Sequence, residues 1–137
     1  VAKLATRCEI QVAYAIGVAQ PVGLYINTYG TAKVKDSKGK LLSDGEIALK
    51  INSLFDMRPY SIVQRFGLKN PVFLLTASYG HFGRDYVVKN VEVYYEVPGS
   101  KPKVVNDNGK KVYLKKVEFF AWEKLDYVDK IKKAFKL

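Results

Sequence analysis

The sequence is poor in residues that make covalent cross-links or bind metal ions. Its 137 residues include one cysteine, Cys8, and one histidine, His81. A single cysteine cannot form an internal disulfide, and these two residues alone cannot supply a cysteine-based metal cluster. The composition therefore excludes a disulfide scaffold. It is typical of a reducing compartment, so we expect a cytoplasmic protein.

Long apolar runs are also missing from the chain. No stretch approaches the roughly 18 to 20 apolar residues that a helix needs to cross a bilayer. Hydrophobic residues nevertheless make up 48% of the sequence and aromatic residues 13%, which is typical of a folded globular domain. We therefore expect one soluble domain, with no membrane as a partner.

Positive charge is in excess, but arginine is scarce. The net charge is +10, from 23 lysines and arginines against 13 aspartates and glutamates. Nucleic-acid sites usually concentrate charge on one face and use arginine together with stacked aromatic rings. The basic residues here are mostly lysines spread along the chain, which favours a solvated basic surface and no nucleic acid as a partner. A basic nucleic-acid-binding α+β module stays open as the alternative function.

Hydrophobic periodicity in the first half predicts strands followed by helices. Residues 9–16 and 22–29 alternate and are rich in β-branched and aromatic side chains, which predicts an antiparallel pair. Ser43 and Glu46 have the spacing of a capping box, so we expect a helix from Asp44 to about Phe55. A shorter helix should begin at Pro59, since proline suits a first helical turn. It should end at Gly67.

The second half predicts a loop, a hairpin and a last helix. Residues 69–84 have little regular pattern and should form an ordered loop. Residues 86–97 and 112–120 alternate around a turn signal at 106–109, which predicts a long β-hairpin. An amphipathic helix should follow from residue 125 to the C-terminus. The predicted fold class is therefore α+β.

Few residues in these segments point to chemistry. His81 has no nucleophile or acid–base partner at a telling spacing, so we expect it to hydrogen-bond backbone in a tight glycine-containing loop. Asp56 and Arg58 are expected to form a salt bridge at the corner between the first two helices. The segment Gly80-His81-Phe82-Gly83 lacks the Lys-Ser/Thr pair of a phosphate-binding P-loop.

Four short motifs follow one another in an order that resembles S-adenosylmethionine synthetases. They are residues 8–21 with Tyr14-Ala15-Ile16-Gly17, then Phe55-Asp56-Met57-Arg58-Pro59, then residues 76–84 with Gly80-His81-Phe82-Gly83, and finally Phe120-Ala121-Trp122-Glu123. The resemblance is to the C-terminal part of that family and covers nearly the whole chain. Residues 85–119 lie outside it, and we interpret them as an insertion, a hairpin appended outside the common core.

This resemblance implies a fold and a fragment. In the family, each of three related domains is β-α-β-β-α-β. Residues 1–137 would be the later part of the third domain, a layered β-sheet with helices on one face plus an inserted β-hairpin. The resemblance begins in mid-pattern, and the one methionine of the chain is Met57. We therefore expect a fragment whose partner is the remainder of the parent polypeptide.

The resemblance also implies a function. The family members are methionine adenosyltransferases, which make S-adenosylmethionine from ATP and L-methionine with Mg2+ and K+, as homo-oligomers with sites shared between two subunits. Their triphosphate, metal and methionine residues lie upstream of the matched region. The resemblance thus implies no catalytic residue and no metal ligand in this chain, no cofactor bound by it alone, and no activity of the isolated chain.

One binding residue is implied by the same resemblance. In the family, the isoleucine of the Tyr-Ala-Ile-Gly segment packs against the adenine ring, and it matches Ile16. A branched aliphatic side chain can cover a base through dispersion and exclusion of water. The chain would then supply a scaffold, a subunit contact and an apolar adenine wall. The alternative is that Ile16 is an ordinary core residue of a strand.

Overall fold

The computed structural model describes residues 1–104 and 110–137. They form two compact units, Val1–Ile62 with Leu125–Leu137, and Val63–Lys124. In chain order the elements are β1 (Glu9–Ala13), β2 (Gly23–Asn27), α1 (Asp44–Leu54), α2 (Pro59–Arg65), β3 (Val87–Val93), β4 (Lys103–Val104), β5 (Lys111–Phe119), a 3-10 turn at Ala121–Glu123, and α3 (Val128–Phe135).

The mixture of helices and antiparallel sheets confirms the predicted α+β class. One sheet has the order β1-β2 and the other the order β3-β5-β4. The arrangement as one layered sheet with helices on one face remains a prediction. Among the described residues, no helix is long and apolar enough to cross a membrane.

The first unit is built on the β1–β2 pair, which is antiparallel as predicted. Ile10 lies opposite Ile26, and the last pair joins Ala13 to Gly23. Ile26 belongs to a buried cluster whose other members come from the loop after β2, from α1 and from α3: Val34, Leu42, Ile47 and Phe135. The predicted first strand was too long, since β1 ends at Ala13 and residues 14–16 lie beyond it.

Helix α1 begins where the sequence predicts it. The Ser43 hydroxyl accepts a hydrogen bond from the Glu46 amide at 3.3 Å, and the Glu46 carboxylate accepts one from the Ser43 amide at 2.7 Å. These bonds satisfy two backbone donors at the helix start. The Asp44 carboxylate in turn accepts hydrogen bonds from the Thr28 hydroxyl at 2.6 Å and the Thr28 amide at 3.1 Å. The end of β2 is thereby joined to the start of α1.

The second unit contains the predicted hairpin strands. Strands β3 and β5 pair antiparallel, with Val87 opposite Phe119 and Val93 opposite Tyr113. Strand β4 was not predicted and pairs with the other edge of β5, with Lys103 opposite Val112. The predicted turn at 106–109 lies outside the described residues.

The hairpin is part of the core of the second unit. Val117 and Phe119 of β5 lie in one buried cluster with Val72 and Phe120, and each side chain is at most 3% exposed. Val87 and Val91 of β3 pack against the same cluster. The hairpin therefore contributes to the core of its own unit, whereas its interpretation as an insertion outside the common core of the family stays a prediction. Alternation shows that one face of a strand is apolar, but it does not identify what covers that face.

Candidate functional site

Ile16 lies in the loop that connects β1 to β2. The Val22 amide donates a hydrogen bond to the Ala13 carbonyl at 2.9 Å and closes the base of this loop. Within it, the Val18 amide donates to the Ala15 carbonyl at 3.1 Å, and Gly17 has a φ of +80°. This is the pattern of a type II turn, which requires a positive φ at its third residue. Ile16 and Gly17 are the two central residues of the turn.

The Ile16 side chain is fully exposed, with a relative accessibility of 106%. Strand β1 ends three residues earlier, so the inward and outward alternation of the strand no longer applies to Ile16. The alternative of an ordinary strand core residue is therefore excluded within this unit. An aliphatic side chain held at the tip of a turn is available to contact another molecule.

Tyr14 ties this loop to the second motif. Its hydroxyl donates a hydrogen bond to the backbone carbonyl of Met57 at 2.6 Å. Met57 belongs to the segment Phe55-Asp56-Met57-Arg58-Pro59, so two of the four motifs meet here. No contact of Tyr14 was predicted from the sequence. Its place in the same motif as Ile16 was the available signal, but no pattern indicated its partner 43 residues away.

The segment around Met57 is held by the predicted salt bridge. The Asp56 carboxylate accepts hydrogen bonds from the Arg58 guanidinium, at 2.9 Å from Nε, and from the Ser61 hydroxyl at 2.7 Å. The hydrogen bonds from Arg58 and then Ser61 hold the pKa of Asp56 well below its usual range. The same contact with Asp56 raises the pKa of Arg58. Both charged forms are thereby favoured at the start of α2.

A concave surface lies beside the loop. Its larger cavity has a volume of about 490 Å³ and a smaller one about 320 Å³, and both are lined by Pro21 and Asn52. Leu49 of α1 borders the larger cavity, and Arg58 borders the smaller one. The two cavities therefore adjoin one another along α1, on the side where the loop returns to β2.

The third and fourth motifs meet in the second unit. The Trp122 indole donates a hydrogen bond to the His81 carbonyl at 2.7 Å, and the Gly83 amide donates to the Glu123 carboxylate at 2.7 Å. The Arg84 guanidinium lies 4.8 Å from the ring centre of Phe120 and donates to the Ser78 carbonyl at 2.9 Å. These four contacts fix the loop of residues 78–84.

The loop of residues 78–84 presents aromatic side chains rather than reactive ones. Tyr79 and Phe82 are exposed. The His81 ring lies edge-on to that of Phe82, with the ring centres 6.5 Å apart. The His81 carbonyl accepts the hydrogen bond from the Trp122 indole, whereas the expected hydrogen bond of His81 to backbone stays a prediction.

The donor set for a metal ion was tested in residues 1–104 and 110–137. No group of three or more histidine, cysteine, aspartate or glutamate side chains lies together there. The side chains of these residues alone therefore do not make up a metal-binding cluster.

The fold and these contacts describe an α+β chain whose candidate site is one exposed aliphatic residue on an anchored turn. Three relatives named S-adenosylmethionine synthase are similar to it. Those of Cytophaga hutchinsonii and Phocaeicola vulgatus are 52% identical over 126 residues and 48% identical over 140 residues, covering 92% and 99% of this chain. That of Flavobacterium johnsoniae is 46% identical over 136 residues and covers 99% of this chain. These alignments cover 26%, 27% and 28% of the three relatives, so the chain spans about a quarter of their length.

Residues 1–94 match the sequence model of the family described as S-adenosylmethionine synthetase, C-terminal domain. The chain belongs to this family. The resemblance inferred from the four motifs is therefore confirmed. The family match ends just after β3, whereas the similarity to the relatives extends over nearly the whole chain.

Proposed function

We propose that this chain is part of a methionine adenosyltransferase that forms S-adenosylmethionine from ATP and L-methionine. Membership of the family supports this proposal, as do the names of the relatives. The chain would serve as scaffold, as a subunit contact and as an apolar wall for adenine through Ile16. Transfer of the adenosyl group would take place on residues outside this chain.

The exposure of Ile16 is the observation that carries the proposed adenine contact. Burying an aliphatic side chain of this size is worth about 1.5 to 3 kcal/mol. The turn holds Ile16 away from the core of its own unit, so this free energy is available for binding. A flat base has two apolar faces, and a branched side chain can cover one of them without a directional bond.

An apolar wall acts on binding rather than on the chemical step. Ile16 carries no proton, charge or lone pair that could take part in transfer. Its contact with adenine would be similar in the ground state and in the transition state, and such uniform binding lowers KM without raising kcat. Loss of the side chain should therefore raise the ATP requirement.

The test is Ile16→Ala in the full-length protein. We expect a loss of ATP binding on the order of 1 to 3 kcal/mol, seen as a higher KM for ATP with kcat nearly unchanged. Leu41→Ala is the matched control, because Leu41 is another exposed aliphatic residue of the same unit and lines neither cavity beside the loop. We expect the control to keep the wild-type KM.

Two outcomes would contradict the adenine contact. Unchanged kinetics of Ile16→Ala would mean that the residue lies outside the site. Lower thermal stability with normal kinetics would instead indicate that Ile16 packs against protein in the intact molecule.

Further parts of this proposal concern the intact protein. We propose that Mg2+ and K+ are bound by the part of the parent polypeptide upstream of this chain, and that the isolated chain forms no product. We also propose a cytoplasmic homo-oligomer with active sites shared between subunits. The share of the relatives that this chain covers supports these proposals, since about three quarters of their length lies elsewhere.

Three of the four arginines of the chain argue against the alternative of a nucleic-acid-binding module. Arg58 is paired with Asp56, Arg65 lies 5.5 Å from the ring centre of Phe66, and Arg84 lies over Phe120. Guanidinium groups engaged in this way are less available for bidentate contacts to phosphates or bases. We therefore propose that nucleic acid is not a partner.

A further inference from the structure

Tyr14 connects the loop that carries Ile16 to a rigid corner of the same unit. We propose that Tyr14 is a positioning residue, whose hydrogen bond to the Met57 carbonyl holds the turn in the orientation in which Ile16 meets adenine. This inference rests on the proposed function, because it assigns to Tyr14 a role that acts through Ile16. Tyr14 itself would not touch the substrate.

The loop needs an anchor of this kind. The β1–β2 ladder ends at the Ala13–Gly23 pair, and the bond from the Val22 amide to the Ala13 carbonyl closes it. Residues 14–21 lie beyond that bond. The Val18–Ala15 bond shapes the turn, but it is internal to the loop and cannot fix the direction of the turn. The Tyr14 hydroxyl provides a link from the loop to a segment distant in sequence.

The acceptor of this bond is itself well fixed. Met57 lies between Asp56 and Arg58, whose ion pair is bidentate, and the Ser61 hydroxyl donates a further hydrogen bond to Asp56. The ring of Phe55, two residues before Met57, stacks on Tyr127 with ring centres 4.6 Å apart. The hydrogen bond can orient the turn only if its acceptor is fixed in place. Met57 is fixed on both sides, by Phe55 before it and by the Asp56–Arg58 ion pair around it.

The strength of the link suits positioning rather than folding. Tyr14 is about half exposed, at 45%, so loss of its hydroxyl leaves groups that water can still reach. A typical net hydrogen bond is worth about 1 kcal/mol, which corresponds to about a fivefold change in an equilibrium constant. Loss of this bond should release the turn and leave β1, β2 and α1 folded.

The test is Tyr14→Phe in the full-length protein, which removes one oxygen and keeps the ring. We expect about a fivefold rise in the KM for ATP, with kcat nearly unchanged. Tyr25→Phe is the matched control, since Tyr25 is a similarly exposed tyrosine of β2 in the same unit. We expect the control to keep the wild-type KM.

Combination with Ile16→Ala separates positioning from a general structural effect. If Tyr14 acts only through Ile16, adding Tyr14→Phe to Ile16→Ala should raise KM no further. A multiplied effect in the double variant would overturn the proposal, because Tyr14 would then influence ATP binding by another route.

Hydrogen exchange measured by mass spectrometry tests the link between Tyr14 and Met57 separately from the adenine contact of Ile16. In Tyr14→Phe, amides of residues 15–20 should exchange faster, whereas those of residues 44–54 should not change. Unchanged exchange in the loop would overturn the proposal that the Tyr14–Met57 hydrogen bond holds the turn. Faster exchange together with unaltered kinetics of Ile16→Ala would sustain this role of the hydrogen bond and refute the adenine contact.

Discussion

The two pairs of motifs are held together in different ways in the two units. In the first, the turn of Ile16 is joined to the second motif by one side-chain hydrogen bond, from Tyr14 to Met57. In the second, the loop of residues 78–84 is tied down by Trp122, by Glu123 and by Arg84 stacked on the buried ring of Phe120. In the described part of the chain, the turn of Ile16 is therefore joined to its partner motif by one side-chain hydrogen bond, whereas the other loop is held by several contacts against a core.

This difference shows what contact between motifs can and cannot indicate. Motifs that meet around buried residues, such as Phe119 and Phe120, are explained by folding alone. Motifs that meet in order to support an exposed aliphatic side chain need a further reason, because exposure of Ile16 contributes nothing to the stability of its unit. Family resemblance highlights both pairs equally, and burial distinguishes between them.

The largest expected effect is on the stability of the second unit. It tests whether the third and fourth motifs depend on the packing of the β3–β5 hairpin. Phe119→Ala should lower the free energy of unfolding of the second unit by about 3 to 5 kcal/mol, because it removes a buried ring from the core. Urea denaturation of the full-length protein, with amide exchange of β5 as the local signal, measures this. Lys116→Ala, an exposed position of the same strand, should change stability by less than about 0.5 kcal/mol. A cost for Phe119→Ala as small as that of this control would support the view of an appended hairpin.

A smaller effect is expected from alanine substitutions at Gly17 and Gly83, which compare the loop of Ile16 with the loop of residues 78–84. They have φ values of +80° and +70°, and a Cβ at either would meet nothing within 4 Å. Gly17→Ala and Gly83→Ala should therefore each cost about 1 to 2 kcal/mol for the same conformational reason. Steady-state kinetics should nevertheless show a raised KM for ATP in Gly17→Ala alone. An equal rise in both variants would mean that the second loop also contributes to ATP binding.

The smallest expected effect is a pH dependence of the segment around Met57, which is held by the Asp56–Arg58 ion pair. The pKa of Asp56 is lowered by the hydrogen bonds from Arg58 and Ser61, so its stabilising effect is complete above the unfolded pKa of about 4. The effect is lost as the pH falls through the folded pKa. The protection factors of amides in residues 55–61, taken relative to the intrinsic exchange rate at each pH, should fall on acidification, and Asp56→Asn should remove most of this dependence. A variant with the wild-type acid response would exclude Asp56 as its source.

Local signals in the sequence were sufficient for much of the first unit. The capping box of Ser43 and Glu46 correctly predicted the start of α1, because both partners lie within one helical turn. Alternation correctly predicted that β1 and β2 pair. It overestimated β1, however, since residues 14–16 continue an apolar pattern although the chain is turning toward Gly17. Exposure of Ile16 follows from this early end of the strand.

The remaining features depend on contacts that are distant in sequence. The bond between Tyr14 and Met57 joins residues 43 positions apart, and no periodicity encodes it. Burial of Val117 against Val72 likewise depends on how the loop before β3 packs. The pairing of β4 with β5 involves two residues of β4, too few for an alternating pattern. Such features are seen only in the three-dimensional structure, whereas the fold class and the family were predicted from the sequence.

The backbone conformation and the buried side chain of Phe120 favour different amino acids at the same position. Phe120 has a φ of +55°, yet its ring is buried and lies edge-on to Trp122. Glycine would suit this backbone but leave a cavity, and another large side chain would fill the cavity while keeping the unfavourable dihedral. Neither single replacement satisfies both demands. Substitution at this corner should therefore be rare, and where it occurs it should accompany changes at Trp122 or Arg84, whose side chains contact the same ring.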